Sequence, residues 1–217
     1  MDPNLKYLRV VEAFHSIQGE GYWTGMPMAF IRLQGCNLSC PFCDTNHKKG
    51  SAWSLLDIRA FLIKTDIRHI CITGGEPMLH SDGLKDLVRY LIRNRYEVHL
   101  ETNGTIIDND IFSRCWVTIS PKTDSTDPEE RYLHASEVKV LVGPDGIYGI
   151  PTDEFEYVDQ RFPIGYKFLQ PIASAPDSKS YISSLEDSGV LNRIYDIIKL
   201  YPTWRLSLQF HKILNLR

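Results

Sequence analysis

Three cysteines crowd into one short run, Gly35-Cys36-Asn37-Leu38-Ser39-Cys40-Pro41-Phe42-Cys43-Asp44, with the spacing C-x3-C-x2-C. Thiolates carried this way on one loop can wrap a single soft-metal centre. Two metals compete for them. Zinc in a structural site takes four ligands, and His47 follows Cys43 with three residues between, which completes a formal CCCH set. Iron–sulfur clusters use cysteine thiolates, normally four for a 4Fe-4S core, so a trio leaves one iron open to substrate or cofactor. Structural zinc serves small domains that lack a core, whereas a chain of 217 residues is long enough to build one. The other two of the five cysteines, Cys71 and Cys115, sit inside apolar strand patterns and read as small core hydrophobes. An odd count in a chain with no secretory signature argues against a disulfide framework.

The elements that must position this loop follow from periodicity. Ala29–Leu33 is a short apolar strand leading into the cysteine run, and Ser54–Lys64 has apolar residues at helical spacing with Ser54 as its cap. His69–Thr73 is β-branched and apolar and runs directly into Gly74-Gly75, which taken alone is an ordinary turn. An amphipathic helix over Asp82–Asn94 precedes strands at Glu97–Glu101, Trp116–Ile119, Glu137–Val142 and Tyr166–Leu169. Ser184–Tyr201 is the longest helical pattern, weakened in its first half by Asp187, Gly189 and Asn192, and Trp204–Gln209 reads as a closing strand. Alternating strand and helix with apolar strands predicts an α/β fold, a parallel sheet covered by helices, in which chemistry collects past the carboxyl ends of the strands.

Composition narrows the function classes. With 43% hydrophobic and 24% charged residues the chain falls among globular proteins, not disordered or coiled-coil ones. A balance of 24 Lys+Arg against 27 Asp+Glu gives a net charge of -3 and no bulk case for a nucleic-acid partner. Charges and a proline near the N-terminus, and no long apolar run, point to a cytoplasmic protein without a membrane segment. No linker, repeat or low-complexity tract divides the sequence, so residues 1–217 are expected to form a single domain.

The cysteine run, with Phe42 before the last cysteine, resembles the signature of the radical S-adenosylmethionine (SAM) superfamily. Thr73-Gly74-Gly75-Glu76-Pro77 resembles that superfamily's second motif, and the resemblance implies a partial (β/α) barrel of the radical SAM type. A narrower likeness spans nearly the whole chain. Phe14–Gly21 (FHSIQGEG), Phe30–Cys36 (FIRLQGC), Cys43-Asp44-Thr45, Glu101–Thr105 (ETNGT), Ile119–Lys122 (ISPK), Lys167–Pro171 (KFLQP) and Trp204–Lys212 (WRLSLQFHK) stand in the order found in the 7-carboxy-7-deazaguanine synthase family. The family's reaction is the ring contraction of 6-carboxy-5,6,7,8-tetrahydropterin with loss of ammonia, on the route to queuosine and related 7-deazapurines.

Cys36, Cys40 and Cys43 would hold a 4Fe-4S cluster, whose open iron takes SAM; reductive cleavage of SAM then gives a 5′-deoxyadenosyl radical. Gly74, Gly75 and Glu76 would meet the methionyl end of SAM. Further SAM contacts fall on Gly104, on Ser120, Pro121 and Lys122, and on Gln170, Pro171, Ile172 and Ala173. The pterin carries a carboxylate and a guanidine-like edge, so it needs a cation at one end and acceptors at the other. Arg32 is the candidate for the carboxylate: an unpaired charge in its apolar strand would be costly, and a bidentate ligand removes the cost. Ile17, Gln18, Gly19, Glu20 and Thr102 follow as further substrate contacts, with His211 as a pocket-closing group and the C-terminal carboxylate of Arg217 reaching the substrate. Thr45 would give a hydroxyl oxygen to Mg2+. A flavodoxin or ferredoxin donor and a homodimeric assembly complete the expectation. A glycyl-radical activase, which shares the cysteine spacing, and a non-catalytic CCCH zinc module are the competing readings.

Overall fold

The computed structural model describes residues 7–122, 134–144, 146–148, 155, 159, 165–172 and 178–216. The chain divides into two compact units. The first takes Met1–Ser16, Met26–Thr102 and Ile106–Val117, and the second takes Ile17–Gly25, Asn103–Thr105 and Thr118–Arg217.

Five strands build the first unit: β1 (Leu8–Ile17), β2 (Pro27–Leu33), β3 (Ser51–Trp53), β4 (His69–Gly74) and β5 (Glu97–Thr102), in the order β3-β1-β2-β4-β5. β2, β4 and β5 are parallel, while β3 lies antiparallel on β1. Met28, Ala29, Phe30, Ile31 and Leu33 of β2 and Ile70, Cys71 and Ile72 of β4 are all buried. Such near-continuous apolar runs are what strands covered on both faces require. The register pairs Phe30 with Cys71, Ile31 with Ile72, Arg32 with Thr73 and Leu33 with Gly74. β2 and β4 therefore end level, and the loops that follow them leave the sheet side by side.

Helix α1 (Leu55–Leu62) opens on a reciprocal cap. The Ser54 hydroxyl accepts from the Asp57 N–H, and the Asp57 carboxylate accepts from the Ser54 N–H at 2.8 Å. Helix α2 (Ser81–Arg93) buries Leu84, Leu87, Val88 and Leu91 along one stripe, and the short α3 (Asn109–Phe112) is capped by Asp108.

The second unit is built on β6 (Trp116–Ile119), which crosses into it at Thr118, with β7 (Glu137–Gly143), β9 (Tyr166–Pro171) and β10 (Trp204–Leu206), all parallel. The two-residue β8 (Gly146–Ile147) folds back antiparallel on β7. Its helices are α4 (Ser178–Asp187), α5 (Val190–Leu200) and α6 (Phe210–Ile213). Two expectations change here. The long helix expected over Ser184–Tyr201 is two helices, because Gly189 takes φ +66°, a left-handed conformation that ends one and starts the next. The strand expected over Trp204–Gln209 stops at Leu206, since the Gln209 N–H is taken by the Tyr181 hydroxyl at 3.0 Å and the chain turns into α6. No helix among the described residues is long and apolar enough to cross a membrane.

A histidine pair inside the first unit makes stability pH-dependent. His69 Nδ1 and His99 Nε2, on neighbouring strands, lie 3.0 Å apart. Burial, with the nearby His69, pushes the His99 imidazole down to about 4. The unfolded chain takes up a proton near the ordinary histidine pKa of about 6.5 while the folded chain does not. Stability is therefore full above pH ~6.5 and falls as the pH drops toward ~4, by roughly 2–3 kcal/mol in all. Urea unfolding across this range should show that slope in the wild type and a flatter one in His99→Gln.

Candidate active site

In the first unit, the cysteine run starts where β2 ends and is pinned at both ends of its loop. The Gly35 N–H donates to the His47 carbonyl at 2.9 Å, and the Gln34 side chain accepts from the Gly50 N–H at 3.0 Å and donates to the Lys48 carbonyl at 3.1 Å. Between these ties lie Cys36, Cys40 and Cys43, the first two half-buried and the third exposed, none in a disulfide. The Leu38 N–H points at Cys36 Sγ at 3.4 Å, and the Cys43 N–H closes a turn on the Cys40 carbonyl at 3.1 Å. Among the described residues no three Cys, His, Asp or Glu side chains converge on one metal-sized point. The donor chemistry still fits a thiolate-bound cluster. Three thiols share one anchored loop with access to solvent, and a backbone N–H is directed at the first of the three sulfurs.

The Gly-Gly loop packs directly on the start of this run. A Cβ at Gly74 would stand 2.5 Å from the Leu33 carbonyl oxygen, and one at Gly75 would stand 2.3 Å from that of Gly35 and 2.7 Å from Cys36 Cβ. The Glu76 N–H donates to the same Gly35 carbonyl at 2.8 Å. Glu76 is fully buried, and its Oε1 accepts from the Met78 N–H at 2.9 Å and from the Thr102 hydroxyl at 2.8 Å. Glu76 and Thr102 are thus brought together. Arg32 is not the unpaired charge that the sequence suggests: its Nε donates to Glu12 Oε1 on β1 at 2.8 Å, which corrects the argument that only a ligand could offset it. The Thr45 hydroxyl lies 3.3 Å from Asp44 Oδ1, so a carboxylate stands beside the hydroxyl expected to meet Mg2+.

In the second unit, Gln18–Gly25 forms a loop closed by the Gly25 N–H on the Gln18 carbonyl at 2.7 Å. Glu20 pairs with Lys139 of β7, and its other oxygen accepts from the Gln209 amide at 2.8 Å. Burial pushes the Glu20 carboxyl up, but Lys139, aided by His211 and Gln209, outweighs it and holds the group down to about 2. Gly21 has φ +67°, and a Cβ there would strike Glu137 Oε1 at 2.4 Å. Glu137 meanwhile accepts from the Tyr22 N–H at 2.9 Å and the Thr118 hydroxyl at 2.8 Å. The Gly21 N–H donates to Ser207 Oγ at 3.0 Å, and Ser207 donates to Gln170 Oε1 at 2.9 Å. Helix α6 seals the loop, with the Phe210 N–H on the Gly19 carbonyl at 3.0 Å and His211 against Gly19 so closely that a Cβ would meet its Nδ1 at 2.3 Å.

The structure therefore joins Gln18, Gly19, Glu20, Gln170 and His211 in one polar network. Ser120 and Lys122 hydrogen-bond to each other at the end of β6, the Ser120 hydroxyl donating to the Lys139 carbonyl at 2.9 Å. Gly104 follows β5 with φ +74°, and Pro171 and Ile172 close β9, the Ile172 N–H donating to the Val142 carbonyl at 2.8 Å. Ile17 ends β1. Ala173 and Arg217 lie outside the described residues. Sequence reasoning missed Glu12, Asp44, Glu137, Lys139 and Ser207. Glu137 and Lys139 did leave a signal, two charges at i and i+2 in the otherwise apolar EVKVLV, which point to one face of the strand.

Comparison with known proteins places these features in a family. The radical SAM superfamily profile matches residues 30–129, which hold both the cysteine and the Gly-Gly loops. A 7-carboxy-7-deazaguanine synthase from Bacteroides thetaiotaomicron is 34% identical, covering 96% of this chain and 98% of its own. One from Synechocystis sp. is 32% identical, covering 96% and 93%. The crystal structure of QueE from Escherichia coli superposes with a TM-score of 0.65 at 28% identity, covering 94% of each chain. The fold class is the α/β partial barrel of the radical SAM type.

Two substitutions test the packing. Gly75→Ala forces backbone apart and should cost roughly 1–3 kcal/mol by denaturant unfolding while lowering iron uptake on reconstitution. Lys139→Met leaves Glu20 as an uncompensated buried charge and should cost roughly 3–5 kcal/mol, with the Lys139→Met/Glu20→Gln pair regaining a large part.

Proposed function

This chain belongs to the 7-carboxy-7-deazaguanine synthase family within the radical SAM superfamily, and we propose that it contracts the ring of 6-carboxy-5,6,7,8-tetrahydropterin to 7-carboxy-7-deazaguanine with release of ammonia. It is a carbon–nitrogen lyase of queuosine and 7-deazapurine synthesis, using a 4Fe-4S cluster, SAM and Mg2+. The observation that carries the reading is kinship along 96% of the chain with synthases of that name.

Cys36, Cys40 and Cys43 would hold the cluster, and the segments at Gly74–Glu76, Gly104, Ser120–Lys122 and Gln170–Ala173 would hold SAM. Bound together, these groups supply a one-electron reductive cleavage that starts hydrogen abstraction from the substrate. The chain's own residues bind and orient. Gly74 and Gly75 leave bare backbone for a ligand to approach, and the buried Glu76 carboxylate offers an acceptor for the SAM amino group. Arg32 would take the pterin carboxylate, and the Thr45 hydroxyl with the adjacent Asp44 carboxylate would give Mg2+ hard oxygen ligands. Gln18, Gly19 and Glu20, backed by His211, would face the pterin's polar edge. Glu20 stays ionised at neutral pH, so it acts as an acceptor and not as a proton donor. We take flavodoxin or ferredoxin as the electron donor, a homodimer as the assembly and the cytoplasm as the location.

The test is anaerobic reconstitution with iron and sulfide, followed by SAM, a reductant, Mg2+ and 6-carboxytetrahydropterin, with the product read by mass and ultraviolet spectrum. The deazapurine should form. Cys40→Ala should lose both the cluster and the product, and Cys115→Ser should keep both. SAM cleavage with no deazapurine would refute the substrate, and a chain that takes up one zinc and no iron would refute the enzyme.

A further inference from the structure

Arg32 sits on β2 with its neighbours Ile31 and Leu33 fully buried, while its own side chain is 20% exposed. Among the described residues it is fixed by one bond, from Nε to Glu12 Oε1 at 2.8 Å, and no other donor of Arg32 has a partner there. A guanidinium offers two forks to a carboxylate, one along its Nε side and one across its Nη1/Nη2 end. With Glu12 on the side, the end fork is the one left for a ligand. Glu12 is itself held on β1, the strand beside β2, so the acceptor that sets the guanidinium's rotation belongs to the sheet and not to a loop.

We propose that Glu12 is a positioning residue that turns the Nη1/Nη2 fork of Arg32 toward the substrate carboxylate, and so sets the preference for a 6-carboxylated pterin. The inference rests on the pterin reading above. It runs against simple charge counting, and this makes it testable by sign. A carboxylate close to Arg32 lowers the local positive charge, so if charge alone governed binding, removing Glu12 would tighten the grip on an anionic pterin. If orientation governs, removal frees a flexible side chain that must then be ordered at each binding event, and the grip weakens.

The experiment measures equilibrium dialysis of 6-carboxypterin and of pterin, which lacks the carboxylate, against the anaerobically reconstituted holoenzyme with SAM and Mg2+. Wild type should prefer 6-carboxypterin by about tenfold or more, as a directed charge-assisted fork does. Glu12→Ala should lose about tenfold for 6-carboxypterin and less than about twofold for pterin. Glu12→Gln, which keeps an acceptor for Nε, should stay within about threefold of wild type for both. If the alanine variant fails to fold, Glu12→Asp carries the same test, because its shorter acceptor swings the fork and should erase most of the preference. Glu12→Ala that binds 6-carboxypterin as well as or better than wild type, or that loses both ligands equally, overturns the role of Glu12 alone. A wild-type holoenzyme with no preference between the two overturns it together with the pterin reading.

Discussion

The carbonyl oxygen of Gly35 lies 2.3 Å from where a side chain on Gly75 would begin, and the same oxygen accepts the N–H of Glu76 at 2.8 Å. That approach of backbone to backbone sets the geometry of the cysteine and Gly-Gly loops in the first unit. It exists because β2 and β4 are parallel and in a register that ends them together, with Leu33 opposite Gly74. Two loops leaving adjacent strands at one level compete for the same space, and only residues without a Cβ let them share it. A hydrogen bond of this kind contributes about 1 kcal/mol net, whereas a Cβ forced into a backbone oxygen costs more than the bond returns. The missing side chains permit the approach, and the Glu76 N–H then ties the start of the cysteine run to the Gly-Gly loop.

The second unit solves its positioning problem with buried charge instead. Glu20, Lys139 and Glu137 are charged groups drawn from the loop and from β7 into surroundings that would ordinarily exclude them. Removing two ions from water costs several kcal/mol each, and a buried pair often does no better than apolar residues of the same volume. Their value here is directional. Glu137 accepts from both the Tyr22 N–H and the Thr118 hydroxyl, Glu20 from both Lys139 and Gln209, and Ser207 bridges Gly21 to Gln170. A loop tied at successive residues to three different elements has little freedom left, and the left-handed Gly21 is the backbone consequence of fitting it over the Glu137 carboxylate.

How much of this could be read in the sequence follows from the range of each interaction. The parallel strands β2 and β4 were legible because strands covered on both faces spell near-continuous apolar runs, and β5, β6, β7 and β9 because short β-branched, aromatic or apolar stretches recur between helical patterns. β1 was not, since beyond Val10 its residues are each only half-buried and show no alternation, and the three-residue β3 is too short for any period. The cysteine and Gly-Gly loops were legible because their chemistry is local. Glu12, Lys139 and Ser207 were not, because each acts on a residue far along the chain; Lys139 lies 119 positions from Glu20 and Ser207 lies 186 from Gly21. Arg32 shows the same limit from the other side. Its apolar strand correctly marked a charge needing compensation, but the sequence could not say that a strand neighbour supplies part of it.

Five thiols in one chain pose a last question of chemistry, because iron binds thiolate and any accessible cysteine would compete for it. The fold sorts them by environment. Cys71 is wholly buried in β4, and burial pushes the Cys115 thiol up to about 12, so at neutral pH it stays protonated and poorly nucleophilic. Cys36, Cys40 and Cys43 share one loop, the first two half-buried and the third exposed, with the Leu38 N–H directed at Cys36 Sγ at 3.4 Å. The division of five into three and two that spacing suggests is therefore also a division by place, with three on one loop and two apart from it. Cys71 inside β4 and Cys115 just before β6, outside the strand the sequence suggested for it, can therefore be packing residues in a protein whose function depends on cysteine elsewhere in the chain.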